Sequence, residues 1–253
     1  MTKQEIATLL DNAAKKAKAV PQMAAANKMN LEDAYEIQRM AIDIRVERGE
    51  KITGYKLGFT SKAKMEQMGV HDLIWGILTD EMEIKKGESV DLKRWIHPRV
   101  EPEIAFRVSK DIHKELTPEE LPDYLDRMAP ALEIIDSRYE NFKFSLEDVV
   151  ADNCSSTGYV IGNWQPLATE ISDLKMDLLV NNNVIESASS AAILDNPLQS
   201  VVELSRLAST AGLKVKKGHI ILAGAATAAR FMEPNQNLKG RVEKLGEVSF
   251  KSR

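Results

Sequence analysis

A single cysteine, Cys154, stands among 253 residues. That excludes an internal disulfide framework and a cysteine-based zinc site, and fits a reducing, cytoplasmic compartment. No run approaches the roughly 20 apolar residues of a membrane span. The opening MTKQEIATLLDNAAKKAK carries an acid in its first turns and reads as an amphipathic helix. Basic charge is short as well: 34 Lys and Arg against 38 Asp and Glu leave a net charge of −4, the wrong sign for gripping nucleic-acid phosphates. There are four histidines, His71, His97, His113 and His219, and no two have metal-ligand spacing. Neither a phosphate-binding loop nor a dinucleotide fingerprint is present. What is there is the composition of a soluble globular chain, 43% apolar and 28% charged, able to bury a sizeable core.

The N-terminal fifth reads as helix. Thr2 with Glu5 has capping-box spacing, and Ile6, Leu9, Leu10, Ala13 and Ala17 follow on one face. Asn30 precedes a second stripe, Leu31, Ala34, Ile37, Ala41 and Ile44, which Gly49 can end. Beyond Gly49 short two-residue periodicities separated by Gly, Asn and Pro predict strands over 51–59, 98–108, 131–136, 156–162, 174–180, 184–189, 218–224 and 246–250. Asn181-Asn182-Asn183 predicts a hairpin turn. Helices are predicted over 61–68, over 117–128 from Thr117, Pro118 and Glu120, and over 197–211 behind Asn196 and Pro197. The expected class is α+β: a helical region, 1–50, packed on a mixed-β catalytic body, 51–253, as one structural unit.

The segment from Val100 to Val108, VEPEIAFRV, alternates. As a strand it puts Val100, Pro102, Ile104, Phe106 and Val108 on one face and aims Glu101 and Glu103 together at the other, about 7 Å apart. Carboxylates so placed repel unless a cation lies between them; the alternative is a solvated face with two ordinary glutamates. Glu133 lies in the apolar run PALEII, where an unpaired carboxylate is costly. It needs a partner, either a cation shared with the other two glutamates or an internal ion pair to Lys56 or Arg138. Three carboxylates completed by water suit Mg²⁺ or Mn²⁺. Lys56, in GYKLG, shares its strand face only with Gly54 and Gly58. It reads as a carboxylate-binding or proton-transferring lysine, or as one that snorkels to solvent. The runs Asp152–Gly158 and Gly224–Ala229 can present hydroxyls and backbone N–H groups to a ligand, or simply turn and pack. Lys93, Arg94 and Arg99 stand near the glutamates, but no wider basic stripe supports a phosphoryl-transfer enzyme.

Taken in order, GYKLGFTSKAKMEQMGVHDLIWGILTDEM, HPRVEPEIAF, PALEIIDSRYENFKFSLEDVVADNCSSTGYVIG, AGAATAA and LGEVSF resemble the fumarylacetoacetate hydrolase superfamily, in its branch of 2-oxopent-4-enoate hydratases and 4-oxalocrotonate decarboxylases. The resemblance implies a mixed β-roll or barrel-like core. It implies that Glu101, Glu103 and Glu133 hold Mg²⁺ or Mn²⁺, that Lys56 and Asp80 are catalytic, and that Lys56, Ser156 and Thr227 meet the substrate. Arg138 and His71 are candidates for the substrate's leaving carboxylate, and Ser61 to Trp75 for a lid. The His-Pro before Glu-Pro-Glu, the Gly-Val-His at 69–71 and the run at 141–148 look more like the decarboxylases. Hydratases of the branch more often carry valine or alanine where Pro102 stands. Cys154 and Ala226 depart from the alanine and leucine usual at their places. The implied activity is metal-dependent decarboxylation of 4-oxalocrotonate (2-oxohex-3-enedioate) to 2-hydroxypenta-2,4-dienoate in meta-cleavage of aromatics, with hydration of that product as the alternative. The implied partners are the small 2-oxo dicarboxylic acid, further copies of the chain and a paralogous hydratase. In such a diacid the distal carboxylate is vinylogous to the 2-oxo group, so loss of CO₂ leaves a dienolate whose developing charge must be stabilised.

Overall fold

The computed structural model describes residues 1–60 and 72–253. The helix expected over 61–68, and His71, lie outside the described residues. Helix α1 (Lys3–Lys16) starts on the Thr2–Glu5 capping box, short α2 (Ala24–Asn27) follows, and α3 (Leu31–Glu47) starts on an Asn30–Asp33 box. Reciprocal caps satisfy amide donors that a helix cannot satisfy itself, which is why both starts were readable. Gly49, at φ +108°, ends α3 as expected. Ile6, Ala7 and Leu10 of α1 and Ala34 and Ile37 of α3 bury one stripe against Tyr139, Val149 and Val150. No helix among the described residues is long and apolar enough to cross a membrane.

The body is built of strands β1 (Ile52–Gly58), β2 (Ile74–Thr79), β3 (Ser89–Val90), β4 (Arg99–Val108), β5 (Leu125–Ile135), β6 (Ser156–Ile161), β7 (Gln165–Pro166), β8 (Lys175–Val180), β9 (Asn183–Ser189), β10 (Ile220–Leu222), β11 (Arg230–Phe231), β12 (Asn237–Val242) and β13 (Gly246–Ser252). One sheet runs β2-β1-β10-β4-β5-β6, with β11 against β4 and β7 against β5; the second runs β3-β13-β12-β8-β9. Val100, Leu132, Ile134 and Val160 of the first pack on Leu178, Leu238, Val248 and Phe250 of the second. The first sheet curls, so that Tyr159 Oη on β6 reaches Thr53 Oγ1 on β1 at 3.0 Å, but the sheets do not close into a barrel.

Two departures from expectation have physical causes. Strand β2, IWGILT, is buried at every position, so it lacks the alternation that marks a half-buried strand. The Thr117–Glu120 box does form, but its helix is only the 3₁₀ turn Pro118–Glu120 and α4 (Leu121–Tyr124). Leu125 onward is drawn into β5, opposite Val108 and Arg107 of β4, so tertiary pairing overrides the local signal. Helix α5 (Leu146–Ala151), on a Ser145–Asp148 box, was not anticipated, whereas α6 (Gln199–Ala211) matches its expected range. The hairpin turn is Asn181 and Asn182, both left-handed at φ 50° and 66°, the geometry that suits a two-residue β-hairpin. Of the segment proposed as a lid, Leu73, Ile74 and Trp75 are core residues.

Candidate metal centre

Antiparallel pairing sets Glu101 of β4 directly opposite Glu133 of β5, and Glu103 lies two residues along the same face. Ligand oxygens of the three lie within 4.8 Å of one another. None of the three is a surface residue: Glu101 is 5% exposed, Glu103 and Glu133 0%, so the solvated-face reading is excluded. Lys56 enters from β1, through β10: Lys56 pairs with Leu222, which pairs with Ala105. Its Nζ lies 3.0 Å from Glu133 Oε2 and donates to the Cys154 carbonyl at 3.4 Å. Glu133 therefore has the ion pair to Lys56 that was considered for it, and it lies in the carboxylate cluster that could share a cation. Arg138 is not its partner.

The glycines that clear space for Lys56 are not those expected. A Cβ at Gly54 would strike Ile220 O at 1.9 Å and one at Gly58 would crowd Ile74, so these serve strand packing. Gly76, opposite Lys56 on β2, makes the room: a Cβ there would sit 3.2 Å from Lys56 Cγ and 2.8 Å from Asn153 O.

The charges do not balance. Three carboxylates face one ammonium, and both Glu103 Oε1 and Glu133 Oε1 are buried without a hydrogen-bond partner. Glu103 Oε2 accepts the Gly224 N–H at 2.8 Å. Burial, then Glu133 and Glu101, push the Glu103 carboxyl well above its usual range against the pull of Lys56. Glu133 is raised by burial as well, with Lys56 opposing. Burial works against the Lys56 charge, but Glu133 and then Glu101 outweigh it and hold the ammonium above its ordinary pKa. Orphaned lone pairs and an excess of buried negative charge in an all-oxygen donor set fit a hard divalent cation such as Mg²⁺ or Mn²⁺.

The remaining sequence candidates divide. Thr227 is buried on the loop after β10, where the Gly224 N–H meets Glu103 and the Ala226 N–H donates to Pro102 O, so it is brought beside the cluster. Ser156 is buried at the start of β6, 3.9 Å from the Met82 sulfur, in register with Ile135 at the mouth of the sheet. Asp80 is a correction. Its carboxylate caps a turn by accepting the Lys51 and Glu81 N–H groups at 2.8 and 3.1 Å. That places it at the far end of β1, about 16 Å along the strand from Lys56. Arg138 is a second correction, because its donors are already used. It pairs with Asp152 and donates to Asp136 O at 2.6 Å, Thr157 Oγ1 at 2.7 Å and Ser156 O at 3.3 Å.

What Arg138 supports is the left-handed turn Asn153-Cys154-Ser155, with φ of 50°, 52° and 57°. This turn presents the Cys154 carbonyl to Lys56, and the Asn153 side chain ties it to both backbone groups of Ile77. Burial pushes the Cys154 thiol up to about 12, so it is an inert filler. A cavity of about 320 Å³ between α1, α3 and the body is lined by Asp11, Arg45, Arg48, Arg138, Asp152 and the candidate Ser156 among others; none of Lys56, Glu101, Glu103 or Glu133 lines it, and it is separate from this centre. The Cys154 carbonyl and Gly76 were missed from sequence, because backbone groups and glycines carry no side-chain signal; the backbone N–H expected of the Gly224–Ala229 run is used by Glu103.

A curled sheet backed by a second sheet, with three buried glutamates and a lysine on its concave face, defines an enzyme-like centre for an oxygen-ligated metal. Residues 65–251 match the model of the fumarylacetoacetate (FAA) hydrolase C-terminal family, and the chain belongs to that family. Within it, the chain is 46% identical over 245 residues to a 4-oxalocrotonate decarboxylase of a Pseudomonas species, covering 97% of this chain and 96% of that protein. It is 33% identical over 223 residues to a 2-keto-4-pentenoate hydratase of Paraburkholderia xenovorans (strain LB400), covering 87% and 83%. The solved 4-oxalocrotonate decarboxylase from Pseudomonas putida G7, complexed with magnesium and adipate, superposes with a TM-score of 0.94 at 34% identity, covering 99% of this chain and 97% of that one. Both activities named by these relatives are lyase activities.

Proposed function

We propose that the protein is a Mg²⁺- or Mn²⁺-dependent lyase that decarboxylates 4-oxalocrotonate to 2-hydroxypenta-2,4-dienoate. The observation that carries this is the buried Glu101–Glu103–Glu133 cluster with its orphaned oxygens beside a charged Lys56. Bound there, the ion supplies Lewis acidity toward a 2-oxo acid. Lys56, kept protonated by its glutamate neighbours, binds a substrate oxygen, stabilises negative charge developing there and holds a proton at Nζ for the dienolate. The Cys154 carbonyl orients that ammonium. Thr227, on the loop whose Gly224 N–H meets Glu103, provides a hydroxyl at the edge of this face, whereas Ser156 lines the separate cavity. The higher identity to a decarboxylase, 46% against 33% for a hydratase, favours decarboxylation over hydration.

Incubation of the Mg²⁺-loaded protein with 4-oxalocrotonate is expected to release CO₂ and accumulate the dienoate. Retention of all carbon in the organic product refutes the reading, and turnover of 2-hydroxypenta-2,4-dienoate instead installs the hydratase. Self-association and association with a paralogous hydratase belong to the same proposal, and co-purification tests them.

A further inference from the structure

We infer that His97 and Arg99 form an anion subsite at the mouth of the metal centre, which receives the second carboxylate of a dicarboxylic 2-oxo acid. This rests on the reading that the neighbouring glutamates hold a metal. Arg99 opens β4 and opposes Ile135 on β5 and Phe231 on β11. It shares a face with Glu101 and lies one strand repeat outward, about 7 Å along the chain. Its guanidinium lies 3.9 Å over the Phe142 ring, and the His97 ring centre is 5.2 Å from the same ring. Arg99 Nε and His97 Nε2 are both buried without a hydrogen-bond partner, and no carboxylate among the described residues pairs with Arg99. The segment is held in place from behind, since the Ile96 and His97 N–H groups donate to the Asp136 carboxylate at 2.9 and 2.8 Å.

Buried donors without acceptors are unfavourable until an acceptor arrives. A stacked planar guanidinium beside an imidazole matches a carboxylate fork. Arg138, the other arginine near the site, is saturated by Asp152 and three further oxygens, so it cannot serve. The carbon chain between the 2-oxo and distal carboxyl groups of a six-carbon diacid spans about 5 Å, within reach of Arg99 from the glutamate row. A monocarboxylic 2-oxo acid leaves both donors unmet. The subsite therefore selects diacids, and after decarboxylation the uncharged CO₂ no longer pairs with it.

The test compares 2-oxohexanedioate with 2-oxohexanoate as ligands of the Mg²⁺-loaded protein by titration calorimetry. Wild type is expected to prefer the diacid. Arg99→Met is expected to weaken the diacid by about thirtyfold or more and to leave the monoacid within about threefold. His97→Gln is expected to reduce the preference in the same sense. Should Arg99→Met fail to fold, Arg99→Lys, which keeps the charge but loses the stacked fork, must also lower the preference. Equal weakening of both acids, or an unchanged preference, overturns the subsite. If wild type binds both acids in a Mg²⁺-dependent way without preference, the subsite fails and the metal centre stands; if neither acid responds to Mg²⁺, both fail.

Discussion

Glu103→Gln is expected to stabilise the metal-free protein and to remove most of the stabilisation that Mg²⁺ gives. The amide keeps the volume, and its oxygen can still accept the Gly224 N–H now held at 2.8 Å. What is lost is charge. With ligand oxygens within 4.8 Å of one another, each like-charged pair costs about 3.5 kcal/mol at an effective dielectric of about 20. The metal-free chain escapes part of that cost by keeping a proton on Glu103, whose pKa burial and then Glu133 and Glu101 raise. Keeping a carboxyl protonated costs about 1.4 kcal/mol for every pH unit that the solution lies above the ordinary glutamate range, and a permanently neutral glutamine avoids that cost. Without metal the variant is therefore expected to be about 1–3 kcal/mol more stable than wild type, a rise of about 2–10 °C in Tm for a chain of this size. Mg²⁺ at a hundred times its Kd stabilises wild type by about 2.7 kcal/mol and should leave the variant almost unmoved. Thermal melts after chelation, with and without added Mg²⁺, read both effects. A metal-free variant that melts below wild type, or one that gains as much from Mg²⁺, refutes the reasoning.

Because the Glu103 and Glu133 carboxyls are raised in the folded protein, the native metal-free state holds protons that the unfolded chain has lost. Its stability should fall as pH rises from the ordinary carboxylate range through the raised one. Mg²⁺ affinity should climb over that window with proton release, and calorimetry in buffers of different ionisation enthalpy that finds no released proton contradicts this. Gly224→Ala places a Cβ 2.2 Å from Thr60 Oγ1 at a φ of +103°; denaturant melts should show a loss of about 1–3 kcal/mol together with weaker Mg²⁺ binding, and an unchanged protein refutes the role given to this loop. Arg138→Met strands the buried Asp152 carboxylate and should cost about 3–5 kcal/mol of stability. Unaltered stability with a raised KM would return Arg138 to the substrate.

The sequence by itself determined whatever depends on neighbours close along the chain. The Thr2–Glu5 box, the stop at Gly49 and the Asn181-Asn182 turn are local hydrogen-bond and dihedral matters, and each was legible. The two-residue period likewise put Glu101 and Glu103 on one face, and family motifs pointed to Glu133 and Lys56. Strand β2 was illegible because both of its faces are buried, and the helix signal after Thr117 lost to a strand partner that only the fold supplies. Tertiary structure alone decided which charges meet. Register sets Glu101 against Glu133, and a slip of one residue would turn every side chain of the strand to the other face. Curling of the sheet brings Lys56 to Glu133 across 77 positions of sequence (133 − 56), sends Asp80 to the far end of β1 and gives Arg138 to Asp152. Residue type is a property of the chain, but the energy of a buried charge depends on what surrounds it in space, and for these groups that surrounding is built from segments far apart in sequence.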